Sequence, residues 1–189
     1  MPDVKKSKAE IATIDVCLVT IETADGVFGF DTANAIKVEP QIEEEEAVKL
    51  VVKGILRAQK PKVTTITGNE ITLTDNVFNP ELVTVLQGGV IKYDIDEPTK
   101  ITGYTPPVAG STDKGDVFKL NAYSAQYDAS GQIVQYEKIT YPNCKGVPVA
   151  FGSEDGAFRA PEYTINSAPK TGEAPYEITY VEQLPTLTD

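Results

Sequence analysis

The sequence predicts a mainly β protein: a β-sandwich or barrel with one short flanking α-helix and a long protruding β-hairpin. Three observations lead to this prediction. Tyrosine, threonine and valine, which favour strands, are frequent, and nine residues are tyrosine. Thirteen prolines and fourteen glycines divide the chain into short segments. Many of these segments alternate apolar and polar residues at period 2, as strands do when one face is buried. We expect residues 1–189 to form a single domain.

The N-terminal part of the chain is predicted to form two strands. Residues 11–22 carry apolar side chains on both faces, which is typical of a central strand. The turn signal Asp25-Gly26 follows, and residues 28–30 predict a second, short strand. The N-terminal third is therefore expected to contribute to the core of the sheet.

Residues 35–58 predict the protruding hairpin. Apolar and charged residues alternate on both sides of a run of four glutamates, which indicates two strands joined at a charged tip. Adjacent carboxylates repel one another, so we expect this tip to face water or a basic partner. Pro40 favours an edge position. A lone hairpin is marginal in water, so we expect docking on another subunit. The predicted contact residues are Ile36, Val38, Ile42, Glu43, Glu44, Glu45, Glu46, Val48, Leu50 and Val52.

Residues 62–76 predict further strand structure, in which Gly68-Asn69 marks a hairpin or a bulge. Residues 79–88 predict the flanking helix. Asn79 is a suitable N-cap, Pro80 suits the first helical position, and glycines 88 and 89 suit the C-terminal end. This is the only helix that we expect.

The second half of the chain predicts more strands. Residues 90–95 form one, and residues 97–116 predict a long irregular loop, because prolines and glycines interrupt any periodicity. A hairpin is expected from two strands joined by the Asp128-Ala129-Ser130-Gly131 turn, at residues 117–127 and 132–141. Later strands are expected at residues 147–151, 158–166 and 176–184.

Composition excludes several classes of site. The chain has no histidine, so it holds neither a Ser-His-Asp triad nor a histidine-ligated zinc site. Its net charge of −11 disfavours binding to nucleic acid. We expect no signal peptide and no membrane span, because no apolar run approaches the required length. Cys17 is expected to be buried and Cys144 to lie at a turn, and a reducing compartment is the simpler interpretation of two cysteines.

Candidate chemistry is sparse. The carboxylates Asp94, Asp96 and Glu97 lack the spacing of a calcium loop, and we expect a solvated strand end there. Residues 110–115 have a Gly-x4-Gly spacing but lack the Lys-Ser/Thr of a phosphate loop. The tyrosines are expected at sheet surfaces or interfaces. We therefore expect no enzyme activity, no cofactor and no metal.

Two stretches resemble the major tail tube proteins of tailed bacteriophages and of prophages of Gram-positive hosts. Residues 67–89, TGNEITLTDNVFNPELVTVLQGG, resemble the strand, short helix and Gly-Gly passage of that family. Residues 157–185 contain Ala168-Pro169 and the pattern Tyr-x-Ile-x-Tyr-Val-x3-Pro, and they resemble its closing strands. The resemblance implies a β-sandwich or barrel with a flanking helix, in agreement with the prediction made from residue patterns.

The resemblance also implies a function. Six copies form a ring, and stacked rings form a tube through which DNA leaves the capsid, with an early hairpin reaching the next ring. The partners implied are the chain itself, the tape measure, tail terminator and baseplate hub proteins, and DNA in transit without specific binding. Assembly is expected in the cytoplasm of the host bacterium, and the final location is the virion tail. Acidic side chains on the lumen wall would repel DNA. Candidates are Asp94, Asp96, Asp116, Glu137, Glu162, Glu177 and Glu182.

Three other functions stay open at the level of sequence. The first is the inner tube of a contractile phage-tail-like particle, which shares the fold and adds a sheath. The second is a monomeric carbohydrate-binding β-sandwich, which needs solvent-facing aromatic residues on one face and no long self-pairing ribbon. The third is an acid/base hydrolase that uses paired carboxylates. The role of residues 97–116 is also open, because simpler tail tube proteins lack such a loop.

Overall fold

The structure is a computed structural model that describes residues 12–111, 115–156 and 159–187. Those ranges contain twelve strands and one helix. The strands are β1 (Thr13–Glu22), β2 (Val27–Phe30), β3 (Ala33–Glu45), β4 (Val48–Val52), β5 (Ile55–Lys60), β6 (Val63–Asp75), β7 (Val90–Tyr93), β8 (Ile101–Thr105), β9 (Phe118–Tyr127), β10 (Ile133–Gly146), β11 (Glu162–Ser167) and β12 (Glu177–Val181); the helix is α1 (Pro80–Gln87).

Eight strands form one antiparallel sheet in the order β2-β1-β9-β10-β11-β6-β3, and β12 branches off β10. The branch exists because β10 bends. Its first part pairs with β12, and its last residues pair with β11 instead. Asn143, with φ of 47°, lies between the two parts, where the pairing with β9 also shifts register. A bend of this kind lets one strand take part in two packed layers.

The sheet curves around one hydrophobic core, and β3 at one end of the strand order also lies beside β1. The core joins residues of seven strands to one side of α1, where Leu82, Val83 and Leu86 are buried. The fully buried strand residues include Val19, Ile21, Ile71, Leu73, Leu120, Tyr163 and Ile165. The predicted mainly β fold with one short helix is confirmed, while the choice between a sandwich and a barrel stays a prediction.

The helix forms where the sequence predicts it. The Asn79 side chain accepts hydrogen bonds from the backbone amides of Glu81 and Leu82, at 2.9 and 3.2 Å. Pro80 occupies the first turn, where its missing N–H costs nothing. Gly88 ends the helix with φ of 78°, and its amide donates to the Thr84 carbonyl. The one helix of the described residues is too short to cross a bilayer.

The strand pairing predicted for the hairpin is wrong. Residues 35–58 do not fold on themselves around the glutamates. Instead β3 pairs along its whole length with β6, and Glu43, Glu44 and Glu45 lie within the β3 strand. The separate hairpin is β4–β5, and its turn is Lys53-Gly54. Both turn residues have positive φ, at 49° and 78°, as a two-residue hairpin turn of this hand requires.

Other predictions are corrected in the second half of the chain. Residues 101–105 of the predicted irregular loop form β8, which pairs with β7. Residues 147–151 form no strand; the Val149 amide donates to the Gln87 side chain at 2.8 Å, and Pro148 has no amide hydrogen. The hairpin β9–β10 and the strands β11 and β12 are confirmed with different bounds, since β10 extends to Gly146 and β11 and β12 are shorter than predicted. Predicted strand residues 11 and 158 and loop residues 112–114 lie outside the described ranges, as does the beginning, residues 157–158, of the second family-like stretch.

Neither cysteine has its predicted environment. Cys144 is fully buried in β10 rather than placed at a turn, and Cys17, which was expected to be buried, is only half-buried. Both are free thiols. Burial raises the pKa of the Cys144 thiol to about 12, so this side chain behaves as a small apolar core residue.

Candidate assembly surface

The most prominent surface feature is a two-stranded arm, residues 41–67. It begins where the sheet narrows, because the pairing of β11 with β6 ends at Asn69. Beyond that point β3 is the only described strand that pairs with β6, and the ribbon carries the β4–β5 hairpin at its far end. Every arm residue except Ala47 is exposed. The arm therefore contributes almost nothing to the core of its own subunit.

The root of the arm is held firmly. Thr67 is an extra residue opposite the Gln41–Ile42 step, and its hydroxyl donates to the Gln41 carbonyl at 3.2 Å. The Gln41 side chain donates to Asn166 of β11 at 3.4 Å. Asn69 is buried, and its side chain donates to the Pro175 carbonyl just before β12 at 2.9 Å. The predicted bulge at Gly68-Asn69 is thus found one residue earlier, where it sets the direction in which the arm leaves the body.

Ion pairs stiffen the ribbon part of the arm. Lys60 contacts Glu45 at 2.5 Å and Lys62 contacts Glu44 at 2.6 Å. These pairs are exposed, so each adds little to stability. They do, however, neutralise half of the glutamate run, which therefore lies beside basic residues of its own chain.

The β4–β5 hairpin is apolar on both faces near its turn. Direct cross-strand partners point to the same face. Pairing therefore puts Val51 and Leu56 on one face, and both are more than half exposed. The other face, named here the hairpin face, consists of Val48, Leu50, Val52 and Ile55, with exposures from 42% to 64%. So much apolar surface on an isolated hairpin is typical of a binding segment.

The ten predicted contact residues divide between the body and the arm. Ile36 and Val38 are partly buried against the core, so they hold β3 to the body. Ile42 and Glu43 to Glu45 lie on the ribbon, and Glu46 lies just after it. The hairpin face contains the remaining three, which are Val48, Leu50 and Val52.

A second exposed apolar surface lies on β12. The β12 strip, as we name it here, consists of Tyr176, which directly precedes the strand, and of Ile178 and Tyr180 within it. The three side chains follow period 2, and each is about 45% exposed. Ile178 stands opposite Ile139, which packs against the core, so the strip continues the core side of the sheet beyond the region that other elements cover. At one end, Tyr176 contacts the buried Tyr141, with ring centroids 6.3 Å apart. Burial raises the pKa of Tyr141 to about 12.

The arm end and the C-terminal segment carry opposite charge. Residues 47–62 hold five basic residues and no acid, in a chain of net charge −11. Residues 171–187 hold three acids and no basic residue. Sequence analysis missed both features, although the unbroken sign of each run is visible in the printed sequence. It also missed the β12 strip, whose signal is the apolar alternation at 176, 178 and 180.

The predicted lumen acids are dispersed over several elements. Glu162 and Glu177 are exposed on strands, Glu137 is half-buried on β10, and Asp116 and Glu182 are exposed outside the strands. Asp94 and Asp96 occupy the β7–β8 turn. There the Asp94 carboxylate accepts the Asp96 amide at 3.0 Å and contacts the Lys100 ammonium at 3.6 Å. Asp94 therefore stabilises a turn of its own chain.

No metal-ligand cluster of three or more His, Cys, Asp or Glu residues occurs in the parts of the chain that the structure describes. One open cleft of 520 Å³ lies between residues 150–154 and 159–162. There the Arg159 guanidinium stacks near Phe78 and Phe151 and donates to the Ser153 hydroxyl. These contacts hold a loop together and bring no pair of reactive groups into contact.

Comparison with known proteins gave structural matches alone. No protein-family model matches the chain, and no curated protein matches its sequence. Among solved structures, a chain of the anti-feeding prophage (AFP) baseplate, determined by cryo-EM with 6-fold symmetrisation, is similar at 10% identity and a TM-score of 0.34. The match covers 94% of this chain and 97% of the other.

Proposed function

We propose that the chain is a virion structural protein, the subunit of a phage tail tube, with no enzymatic activity. Hexameric rings stack into a conduit through which DNA leaves the capsid. The resemblance of residues 67–89 and 157–185 to tail tube proteins supplies the family. The arm is the single structural observation that carries the proposal.

The arm suits ring stacking because it exposes apolar side chains that a monomer would leave in water. Its hairpin exposes six large aliphatic side chains and pairs with no other strand of the described residues. A two-stranded hairpin with water on both faces is only marginally stable. Contact with a neighbouring subunit removes this apolar surface from water, which stabilises the hairpin and the contact together.

Charge suits the passage of DNA. With a net charge of −11 per subunit, a closed assembly carries a large negative charge, and phosphates are repelled rather than held. The salt-screened range of this repulsion is about 8 Å at physiological ionic strength, so only acids on the lumen wall act on the DNA. Glu162 and Glu177 are the exposed strand acids among the predicted set.

Two of the alternative functions are also compatible with parts of the structure. The inner tube of a contractile particle requires the same subunit and the same arm. A carbohydrate-binding module has one observation in its favour, because Tyr176 and Tyr180 of the β12 strip are both exposed. It gives the arm no role, and we therefore prefer the tube.

Negative-stain electron microscopy of the purified protein tests the proposal. The matched variant replaces residues 48–60 with a short Gly-Ser linker, which leaves β3, β6 and the core in place. We expect the wild type to form rings or tubes, and the variant to stay folded without forming tubes. Monomers of the wild type at every concentration, or long tubes of the variant, would overturn the proposal.

A further inference from the structure

Among the residues that the structure describes, no element covers the hairpin face or the β12 strip. The β4–β5 hairpin forms a two-stranded sheet of its own, and β12 pairs only with β10 in the described residues. The two surfaces do not cover each other, because both are exposed in the same structure. Each also has three side chains at period 2, which run from Val48 to Val52 along β4 and from Tyr176, just before β12, to Tyr180 within it. Their dimensions therefore match for face-to-face packing of two sheets.

The charges around the two surfaces are complementary. Lys60 and Lys62 already contact glutamates of the ribbon, whereas Lys49, Lys53 and Arg57 have no ion-pair partner among the described residues. Around β12, Glu177 and Glu182 are exposed and likewise have no ion-pair partner there. Strand alternation places Lys49 and Glu177 on the opposite faces, whereas Lys53 lies in the hairpin turn, Arg57 lies at the register shift of the hairpin and Glu182 directly follows β12. An apolar face with basic residues at its margin thus matches an apolar face with an acidic residue at its margin. Such complementarity selects a partner and its orientation more than it adds affinity.

We propose that the hairpin face of one copy packs on the β12 strip of a second copy, with Lys53 and Arg57 beside Glu182. This inference rests on the proposed function, because it names the surface that receives the arm. It also explains why the strip is apolar on a strand with one free edge. The contact covers both the strip and the hairpin with a single interface.

A rival receiving surface lies at the β7–β8 hairpin. Val90, Tyr93 and Ile95 are exposed there, beside acidic residues 94, 96 and 97. This surface is less complementary to a basic rim, because Lys100 already contacts two of these acids and Lys92 adds another positive charge. We therefore place the hairpin on the β12 strip, and the β7–β8 surface supplies the matched control.

The test is a charge exchange in the full-length protein. The hairpin variant is Lys53→Glu with Arg57→Glu, and the strip variant is Glu182→Lys. The control variant is Asp96→Lys with Glu97→Lys. All five side chains are exposed, and a denaturation curve for each variant verifies that the fold is intact. Sedimentation velocity measures the protein concentration at which half of the material assembles.

We expect the hairpin and strip variants each to need at least about tenfold more protein to assemble. Combining the two in one chain, or mixing the two variant proteins, restores assembly to within about threefold of the wild type. The hairpin variant combined with the control stays impaired. This pattern assigns the contact to the β12 strip.

Three results would overturn the inference. The combined variant fails to recover, or the control restores assembly as well as the strip variant does. Alternatively, Tyr176→Ala with Tyr180→Ala abolishes binding to a panel of neutral hexasaccharides and leaves assembly unchanged, which would make the strip a carbohydrate platform. In all three cases the wild type still assembles, and the tube proposal survives. A wild type that never assembles would remove the proposed function and this inference together.

Discussion

Ile42 stands directly opposite Ile66 in the β3–β6 ladder, and both side chains are about half exposed, at 52% and 45%. A few residues nearer the body, Val38 stands opposite Ile71, which is completely buried. One pair of strands therefore passes from core to solvent across the Thr67 bulge while it keeps its apolar residues. The Thr67 bulge therefore separates the part of the ribbon that packs on the core of the subunit from the part that is exposed and available for binding.

The first prediction compares two isoleucines on β6. Ile66→Ala is expected to change the free energy of unfolding by less than about 0.5 kcal/mol, as for an ordinary exposed site. Ile71→Ala creates a cavity in the core and is expected to cost about 2–5 kcal/mol. Chemical denaturation of the two variants measures the difference. Equal losses would show that the arm packs on its own subunit.

The second prediction concerns the flanking helix. Leu86 is 1% exposed and belongs to the core cluster, so Leu86→Ala is expected to cost about 2–5 kcal/mol. Ile95→Ala serves as the control, since Ile95 is 94% exposed. Urea denaturation of both variants decides the point. A loss of under about 0.5 kcal/mol for Leu86→Ala would contradict the placement of the helix against the sheet.

The third prediction separates backbone strain from crowding at two glycines. Gly89 and Gly110 both have positive φ, at 99° and 81°. A Cβ on Gly89 would lie 2.5 Å from the Thr105 carbonyl oxygen, whereas one on Gly110 would meet nothing within 4 Å. We expect Gly89→Ala to cost about 1–3 kcal/mol more than Gly110→Ala, because only the first adds overpacking to the strain. Thermal unfolding compares them, and similar losses would argue against close packing of β8 on the helix end.

The fourth prediction concerns alkaline pH. Burial raises the pKa of the Cys144 thiol from 9.0 to about 12, so the unfolded chain loses this proton first. The contribution to stability is therefore complete below pH 9 and is lost as the pH rises toward 12. In the Cys17→Ser variant at pH 9, we expect iodoacetamide to label Cys144 far more slowly in the folded protein than in denaturant. Rapid labelling of the folded protein would show that this part of β10 opens readily.

The fifth prediction concerns the lumen. In an assembled tube, part of the acidic excess should line the channel, and Glu162 and Glu177 are the exposed strand acids available for it. A surface-potential map of the assembled tube measures the distribution. A lumen as basic as the exterior, or more so, would contradict the role in DNA passage without affecting the assignment as a tube.

The sequence predicts the local features of this fold well. The N-cap at Asn79 and the glycines at 88 and 89 fix the helix, because capping depends on neighbouring residues alone. The turn at residues 128–131 is equally local, and the Asp128 carboxylate accepts three hydrogen bonds from residues 130 and 132. Both features are confirmed.

Strand pairing was harder to predict, since it depends on contacts distant in sequence. Period 2 correctly indicates strands on both sides of the glutamate run, but it does not say which strands pair. The four adjacent carboxylates must be solvated, and they are solvated on an exposed ribbon as well as at the tip of a hairpin. The sequence signal for the true turn is Gly54, because glycine readily adopts the positive φ that a two-residue hairpin turn requires and that the structure shows there.

The candidate surface was predicted only in part. The arm was expected from its alternation, and the structure places most of the predicted contact residues on it. The β12 strip was not predicted, because exposure of Tyr176, Ile178 and Tyr180 depends on which elements cover the β10–β12 part of the sheet. Periodicity alone cannot distinguish a covered apolar face from an uncovered one.

A cryo-EM reconstruction of the wild-type protein, assembled at high concentration, tests the central claim most directly. The account predicts six copies in each ring around an open channel, stacked rings, and residues 41–67 of every subunit in contact with the adjacent ring. Discrete monomers, or rings in which residues 41–67 lie free in solvent, would contradict it.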